Sequence, residues 1–179
     1  MKVKNTRRLK FDLMNENDVD LLFNLDQNKE VMRYVNGGKN STIDEIKNIL
    51  LPRMLSYSNQ EKGWGLWKVT ELTSDQFIGW ILIRPMGFFT DSPQFNNLEM
   101  GWRFFQKSWG QGFATEAAEQ IKNTLISQGT VKKLTALAFE ENLASINIMK
   151  KIGMTFLKKE IHKDPLGEEE LVFYELSIT

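Results

Sequence analysis

The chain has 179 residues, of which 41% are apolar and 26% are charged, the balance of an ordinary globular protein. Its 23 basic and 23 acidic side chains cancel, so no overall field favours nucleic acid or an anionic membrane. The absence of cysteine and the single histidine exclude disulfides, thiolate metal sites and a multi-histidine metal centre. The chain has no apolar run of about 18 residues and does not begin like a signal peptide. We therefore expect one cytoplasmic domain over residues 1–179, with no metal, no membrane and no nucleic-acid partner.

The first third of the chain is predicted to contain one strand and then two helices. Residues 7–13 alternate apolar and charged side chains, which is the pattern of a strand. An apolar stripe over 17–27 predicts a first helix, capped by an asparagine. Thr42 and Glu45 have the spacing of a capping box and begin a second helix, in which Pro52 is expected to cause a kink or a division.

From residue 64 onward the pattern changes to short β-type runs with two more helices. The predicted elements are a hairpin of Trp64–Leu72 and Phe77–Ile83, a loop over 84–96, a strand at Asn97–Phe105, a helix at Gly112–Ser127, a strand at Lys132–Phe139, a helix at Ser145–Ile152, and strands at Met154–Ile161 and Leu171–Ile178. Only the connection between 97 and 139 has the form of a parallel crossover. The predicted fold class is α/β: a single domain whose mixed, mostly antiparallel central sheet has about seven strands and is flanked by about four helices.

The segment from Lys107 to Thr115, here called the glycine turn, lies between a predicted strand and a predicted helix. Gly110 and Gly112 allow the chain to turn tightly and let main-chain N–H groups approach a ligand closely. The helix that follows adds unpaired N–H donors and partial positive charge at its N-terminus. The glycine turn is therefore either a plain loop or an anion site suited to a pyrophosphate.

Two other phosphate-binding loops fit this segment less well. A dinucleotide fingerprint needs glycine or alanine where Thr115 stands, and a chain that opens with βαβ units. A loop of the NTPase type needs Gly-Lys-Ser/Thr at its end, whereas Gly112 is followed by Phe113 and Ala114. An unrelated α/β protein that binds NAD or ATP is kept as a third alternative.

The order of elements and the glycine turn resemble the GNAT superfamily of acyl-CoA N-acyltransferases. The family's pyrophosphate motif, Gln/Arg-x-x-Gly-x-Gly/Ala, matches at Gly110 and Gly112, while Lys107 replaces the usual Gln or Arg. Three segments resemble the RimJ/RimL-like branch, which acetylates ribosomal-protein N-termini. They are residues 109–117, Val31-Met32-Arg33-Tyr34 before Gly37-Gly38, and Asn142-Leu143-Ala144-Ser145 before Lys151-Ile152-Gly153-Met154. The resemblance covers about residues 7–178.

This resemblance implies an acetyl-CoA-dependent N-acetyltransferase that grips the cofactor's pyrophosphate with main-chain N–H groups. The cofactor-binding residues it implies are Lys107, Gly110, Gln111, Gly112, Phe113, Ala114 and Thr115 at the turn, Phe104 and Phe105 along the pantetheine arm, and Asn142 and Ser145 at the next helix. Although Lys107 departs from the motif, a lysine still meets a phosphate as a point charge.

Two residues are candidates for the chemistry. Glu99 is predicted to lie on the opposite strand face from its apolar neighbours, and a glutamate here resembles the family's frequent base. The alternative is an exposed carboxylate paired with Arg103. Ser145 matches a serine of the RimL-like branch and is the candidate hydrogen-bond donor to the leaving thiolate, because Met149 aligns with the tyrosine of other members. The alternative for Ser145 is a helix cap.

The acceptor decides how strong a base is needed. Deprotonation at pH 7 costs about 1 kcal/mol for an α-amine and about 4.6 kcal/mol for a lysine. The resemblance to the RimJ/RimL-like branch implies the α-amine of a protein or peptide N-terminus as the acceptor. Neither acceptor loop has the dense acidic cluster expected for a polyamine or aminoglycoside, although Asp91 and Glu99 could contribute. The alternatives are a small amine or antibiotic as acceptor, and a module that binds acyl-CoA without turnover.

The acceptor is expected to enter between a helix junction at 32–39 and the loop 84–96. Arg33 and Tyr34 are predicted to meet a carbonyl or carboxylate of the substrate. Phe88 and its neighbour are predicted to line an apolar wall or to pack against a second subunit, which leaves a homodimer open.

Overall fold

The computed structural model describes residues 1–178, in which seven strands form one sheet in the order β1-β2-β3-β4-β5-β7-β6. The strands are β1 (Leu9–Leu13), β2 (Gly65–Glu71), β3 (Gln76–Met86), β4 (Gln94–Phe104), β5 (Lys133–Ala138), β6 (Thr155–Asp164) and β7 (Gly167–Ser177). All neighbouring pairs are antiparallel except β4 and β5. The predicted α/β class, the mixed sheet and the single parallel crossover are confirmed.

Helices cover both faces of this sheet. They are α1 (Val19–Leu25), α2 (Lys29–Asn36), α3 (Ile43–Glu45), α4 (Leu51–Tyr57), α5 (Phe113–Ser127) and α6 (Leu143–Lys151). A π turn at Ile46–Leu50 joins α3 and α4 into one continuous helix, so the part of the chain described contains five helices rather than about four. Short 3-10 turns precede α1 at Glu16–Asp18 and follow β4 at Gln106–Ser108.

Helix α2 lies where the sequence predicted only a junction between helices, at 32–39. Asn28 caps it by accepting two main-chain hydrogen bonds at 2.9 and 3.3 Å. The helix ends at Gly37, whose φ of 75° forms a left-handed C-cap. With eight residues and only Val31 and Met32 buried, α2 is too short to show a helical period in the sequence.

Pro52 neither kinks nor divides the second predicted helix in the usual way. The Leu51 N–H donates to the Ile46 carbonyl, which widens the helix to a π turn just before the proline, a residue that has no N–H to donate. The predicted capping box is confirmed, since the Glu45 N–H donates to the Thr42 hydroxyl at 3.1 Å and the Thr42 N–H to the Glu45 carboxylate at 2.7 Å.

The predicted loop at 84–96 is wrong in extent. Strands β3 and β4 extend into it from both sides and leave only 87–93 as the connection. Pro85 is accommodated in β3 because the ladder shifts register immediately after it. The hairpin of β6 and β7 is also longer than predicted, running to Asp164 and resuming at Gly167.

Strand β4 divides its side chains between two cores. Leu98, Met100 and Phe104 enter the larger core, which lies under α5 and α6. Alternation turns Glu99 and Arg103 to the other face, where the smaller core packs under the helices from α1 to α4. The predicted orientation of Glu99 away from its apolar neighbours is therefore correct.

Strands β4 and β5 pair over a short stretch, here called the β4–β5 seam. Residues 97–99 are opposite 133–135, and the pairing stops there. Beyond this seam β4 continues to Phe104 and β5 to Ala138 without pairing to each other. The sheet therefore opens between these two strands on the side that leads to the glycine turn.

Candidate active site

The glycine turn carries the chain from β4 into α5. Gly110 and Gly112 have φ of 72° and 79°, in the left-handed region that favours glycine. A Cβ built on Gly110 would meet no heavy atom within 4 Å, so this peptide is open to a ligand. Gly112 is the N-cap of α5 and no side chain caps the helix, which leaves its first N–H groups available to an anion. Phe113, Ala114 and Thr115 follow as the first residues of α5.

Side chains of the glycine turn stiffen it from within. The Gln111 side-chain amide donates to the Lys107 carbonyl at 2.8 Å. The Trp109 indole N–H donates to the Phe104 carbonyl at 2.9 Å. Phe113 is buried in the larger core and anchors the start of α5. The turn is thus preorganised by the fold in the shape that exposes its main-chain N–H groups.

Lys107 lies between two cavities. One, of about 490 Å³, opens toward β1, β2 and α1 and is lined by Lys10, Lys68 and Phe105 among others. The other, of about 200 Å³, lies beside the turn and reaches Ser108. Within the described residues the Lys107 ammonium forms no ion pair and lies 5.6 Å from the centroid of the Phe105 ring. Its charge is therefore available to a phosphate.

The unpaired part of β4 presents main-chain groups to the opening between β4 and β5. The Asn96 carbonyl accepts a hydrogen bond from the Lys132 N–H at 2.9 Å, so even-numbered residues of β4 direct their main-chain groups toward β5. Since pairing ends at the β4–β5 seam, the main-chain groups of Met100 and Trp102 face the opening.

Phe104 and Phe105 already use part of their main chain within the fold. The Phe104 carbonyl accepts from Trp109, and the Phe105 N–H donates to the Ile78 carbonyl at 3.0 Å. The Phe104 side chain is buried, whereas the Phe105 ring is half-buried. The structure therefore adds Met100 and Trp102 to the segment that the resemblance assigns to the pantetheine arm.

Asn142 and Ser145 meet at the start of α6. The Asn142 side chain accepts from the Ser145 main-chain N–H at 3.2 Å, so Asn142 is the cap of this helix. The Ser145 hydroxyl makes no hydrogen bond within the described residues, although its residue is half-buried. Capping therefore accounts for Asn142 and leaves the hydroxyl of Ser145 without a structural role.

Glu99 forms a two-pronged ion pair with Arg84 of β3. Arg84 Nε donates to Glu99 Oε2 at 2.8 Å and Arg84 Nη2 to Oε1 at 3.1 Å, and each side chain is only 13% exposed. The alternative partner, Arg103, pairs instead with Asp26 at 2.5 Å. Burial acts to lower the pKa of Arg84, but attraction to Glu99 and their hydrogen bond outweigh it and raise that pKa above its ordinary value.

Tyr57 of α4 and two phenylalanines form an aromatic wall beside this ion pair. The Phe88 and Phe89 rings meet the Tyr57 ring edge-on at 5.9 and 6.1 Å. The Arg84 guanidinium lies 5.8 Å from the Tyr57 ring centroid. Burial raises the pKa of Tyr57 to about 12, so its phenol is neutral at pH 7. The predicted apolar wall at Phe88 is thus packed within the chain itself.

A second ion pair crosses the same wall. Arg53 of α4 pairs with Asp164 at the tip of the β6–β7 hairpin, and its guanidinium lies 3.6 Å from the centroid of the Phe89 ring. Together with the ion pairs of Arg84 and Arg103, three arginines on this face are matched by three carboxylates. The face next to Glu99 is therefore close to electrically neutral.

Arg33 and Tyr34 lie away from the aromatic wall. The Tyr34 hydroxyl donates to the Glu141 carbonyl at 3.3 Å, and its ring centroid is 6.2 Å from that of Phe139. The Arg33 side chain is 64% exposed and lies over the Tyr34 ring at 5.3 Å. The predicted acceptor residues therefore form two groups, one at the β5–α6 connection and one at the aromatic wall.

Sequence reasoning missed Arg84, which pairs with Glu99, and the aromatic and charged residues beside that ion pair. Tyr57, Arg53 and Arg84 belong to segments interpreted as a helix and a loop, and Asp164 to a predicted turn. None of them has a local motif, because their contacts depend on strand register and helix docking. The one available signal was the position of Arg84 beside the apolar run of β3, which fits a strand residue facing a second core.

Residues 1–178 contain no helix long and apolar enough to cross a membrane. No three acidic or histidine side chains in that range come together in a way that would hold a metal ion.

Residues 8–155 match the family model described as an acetyltransferase (GNAT) domain. The chain belongs to the GNAT acetyltransferase family. Known proteins similar to this acetyltransferase have acceptors of different kinds. It is 25% identical over 170 residues to FsC-acetyl coenzyme A-N(2)-transacetylase of Aspergillus fumigatus, a match that covers 92% of this chain and 71% of that protein.

Solved structures agree on the fold of the acetyltransferase. Aminoglycoside acetyltransferase AAC(6')-Ib in complex with coenzyme A has a TM-score of 0.75 at 15% identity, covering 94% of each chain. RimL, a ribosomal L7/L12 α-N-protein acetyltransferase also in complex with coenzyme A, has a TM-score of 0.76 at 12% identity, covering 98% of this chain and 97% of its own. These two similarities are equal in strength, so they establish the GNAT fold without selecting an acceptor.

Proposed function

We propose that this GNAT enzyme transfers an acetyl group from acetyl-CoA to a primary amine, and that the amine is the α-amine of a protein or peptide N-terminus, as in the RimJ/RimL-like branch. The observation that carries the proposal is the uncapped N-terminus of α5 behind Gly110 and Gly112. A helix start with free N–H groups, open space and a neighbouring lysine is suited to a pyrophosphate.

Residues of the chain are suited to two parts of acetyl-CoA, the pyrophosphate and the pantetheine arm. The glycine turn and Lys107 offer N–H groups and a positive charge to the pyrophosphate. The main-chain groups of Met100 and Trp102 offer the pantetheine arm an exposed strand edge, which an extended ligand can extend as an added strand. When bound, acetyl-CoA supplies the activated acetyl group and a thiolate leaving group.

Glu99 takes the proton from the acceptor ammonium, directly or through a water molecule. Arg84 occupies one acceptor site on each carboxylate oxygen, and each oxygen has a second. The ion pair therefore fixes the orientation of Glu99 and leaves it able to accept another hydrogen bond. A weak base is sufficient for an α-amine acceptor, because deprotonation of an α-ammonium at pH 7 costs about 1 kcal/mol.

Ser145 donates its hydroxyl hydrogen bond to the leaving thiolate. Because Asn142 already caps α6, the Ser145 hydroxyl is not needed for the helix start. The N-terminus of α6 carries partial positive charge, which also favours a thiolate nearby. Both effects act on charge that develops as the thioester bond breaks.

Charge balance favours an α-amine over a polycation as the acceptor. The two carboxylates beside the aromatic wall, Glu99 and Asp164, are each paired with an arginine, so no excess negative charge is left there to attract several ammonium groups. A peptide brings a single ammonium, and its carbonyl groups can accept hydrogen bonds from the exposed Arg33 side chain, whereas the Tyr34 hydroxyl already donates to the Glu141 carbonyl. A small amine or antibiotic is the second candidate because of the structural similarity to aminoglycoside acetyltransferase AAC(6')-Ib.

The test is thiol release from acetyl-CoA by purified protein, measured against N-terminal peptides, polyamines and aminoglycosides, with calorimetry of coenzyme A binding in parallel. We expect release with the peptides and slow release with Glu99→Gln and Ser145→Ala, while both variants bind coenzyme A normally. Release with an aminoglycoside alone would refute the acceptor, and unchanged turnover of Glu99→Gln would remove it as the base. Binding without release for every acceptor would favour the non-catalytic module.

A further inference from the structure

We infer that Arg8 is a positioning residue of the cofactor site, which orients the peptide between Gln111 and Gly112 and neutralises Glu116. This inference rests on the proposed binding of a pyrophosphate at the glycine turn. Arg8 precedes β1 and is far from the family motif in sequence, yet the fold brings it against the back of that turn.

Every nitrogen of the Arg8 guanidinium lies against the turn or the first turn of α5. Nη1 donates to the Gln111 carbonyl at 2.9 Å, and Nε donates to Glu116 Oε2 at 2.7 Å. Nη2 lies 2.6 Å from the same carboxylate oxygen and 3.5 Å from the position of a Cβ on Gly112. The guanidinium carbon also lies 4.4 Å from the centroid of the Phe113 ring. One side chain therefore lies against four residues of the turn and of the start of α5, Gln111, Gly112, Phe113 and Glu116.

The bond to the Gln111 carbonyl decides where the next N–H points. In a trans peptide the carbonyl and the following N–H point in opposite directions, and the described chain contains no cis peptide. Because the Gln111 carbonyl points toward Arg8, the Gly112 N–H points to the opposite side of that peptide, away from Arg8. Arg8 thus fixes a donor for the pyrophosphate without touching the ligand.

Glu116 explains why a cation is needed at this place. It lies in the first turn of α5, where its negative charge would repel a pyrophosphate at the same helix end. Arg8 pairs with it and the Thr6 hydroxyl donates to Glu116 Oε1 at 2.6 Å, while the Glu116 side chain is 23% exposed. Arg8 and Thr6 therefore hold the Glu116 carboxylate in place, and Arg8 neutralises its charge.

The neighbouring arginine supplies a matched control. Arg7 is exposed and forms no ion pair within the described residues, so Arg7→Gln removes the same charge from the same segment without disturbing the turn. Arg8→Lys keeps the charge, but a single ammonium cannot reproduce the planar fork that serves Gln111 and Glu116 together. Comparing these variants separates charge from geometry.

The experiment measures the dissociation constant of coenzyme A by calorimetry, KM and kcat for acetyl-CoA, and the melting temperature for each variant. We expect Arg8→Gln to raise the dissociation constant and KM about tenfold, with kcat within about twofold, because a charge-assisted hydrogen bond and a neutralising charge are both lost. Arg8→Lys should recover affinity only in part. Adding Glu116→Gln to Arg8→Gln should restore affinity by about threefold or more, since the unpaired carboxylate is removed.

Two results would overturn the inference. If Arg8→Gln binds coenzyme A as tightly as Arg7→Gln and only its melting temperature falls, Arg8 merely ties the N-terminal segment to α5. If the wild-type protein does not bind coenzyme A, the proposed cofactor site fails and this inference fails with it. The first result overturns the inference alone, because the wild-type protein then still binds coenzyme A.

Discussion

Replacing Arg84 with methionine tests the physical reasoning about Glu99 most directly. In Arg84→Met the Glu99 carboxylate loses both hydrogen bonds and stays in a site where it is only 13% exposed. Removing one partner of a buried ion pair typically costs about 3–5 kcal/mol of unfolding free energy. Because water reaches part of this site, we expect the lower end, about 3 kcal/mol. A domain of this size loses about 2–4 °C per kcal/mol, so the melting temperature should fall by about 6–12 °C.

The assay is thermal and urea unfolding at pH 7, followed by circular dichroism. The double variant Arg84→Met with Glu99→Leu should regain most of the lost stability, because an apolar pair of similar volume replaces a buried ion pair at little cost. Arg33→Met is the matched control, since its side chain is 64% exposed and its removal should cost less than about 0.5 kcal/mol.

Two outcomes would refute this reasoning. A loss in Arg84→Met no larger than in Arg33→Met would mean that the ion pair is solvated and contributes nothing. A double variant as unstable as Arg84→Met would mean that the loss comes from packing of the Arg84 side chain on Tyr57 and Phe89 rather than from an uncompensated charge.

Three further predictions concern pH and the start of α6. Burial acts to raise the pKa of Glu116, but hydrogen bonds from Thr6 and Arg8 outweigh it and lower that pKa below 4.5. The stability that this shift contributes is present above pH 4.5 and is lost as pH falls further. Urea unfolding between pH 7 and 3 should therefore show a steeper loss of unfolding free energy with acid in the wild type than in Glu116→Gln. Burial raises the pKa of Tyr57 to about 12, so the unfolding free energy should fall as pH rises from 10 toward 12. Ultraviolet titration should show that one of the three tyrosines ionises last, and an identical titration curve for Tyr57→Phe would contradict this. Asn142→Ala should cost about 1 kcal/mol through loss of the cap while Ser145→Ala leaves unfolding unchanged, and equal losses in the two variants would contradict the assignment of the cap.

The features predicted correctly from sequence are those encoded within a few neighbouring residues. Alternation along β4 gave the orientation of Glu99, and the spacing of Thr42 and Glu45 gave a capping box that the structure contains. Gly110 and Gly112 marked a tight strand-to-helix turn in the sequence, and both have the left-handed backbone that favours glycine. The α/β sheet followed from strand patterns and one crossover.

The features that were missed depend on residues far apart in the chain. The alternative interpretation of Glu99 paired it with Arg103 because the two are close in sequence, whereas strand register places Arg84 directly across from Glu99. Helix α2 offers too few buried residues for a period to appear. Arg8 meets Glu116 only because the N-terminal segment folds back on α5, which no local pattern records.

The β4–β5 seam also has a consequence for cooperativity. The strands from β1 to β4 and those from β5 to β7 are each held by long antiparallel ladders, but the two halves share only three residue pairs. A ligand bound along Met100 and Trp102 would add hydrogen bonds to the unpaired edge of β4, beside this weakest line of the sheet. At a concentration one hundred times its dissociation constant, such a ligand contributes about 2.7 kcal/mol. If that ligand is acetyl-CoA, as proposed above, its binding stabilises the sheet as a single unfolding unit, and amide hydrogen exchange in β4 and β5 should slow as acetyl-CoA is added.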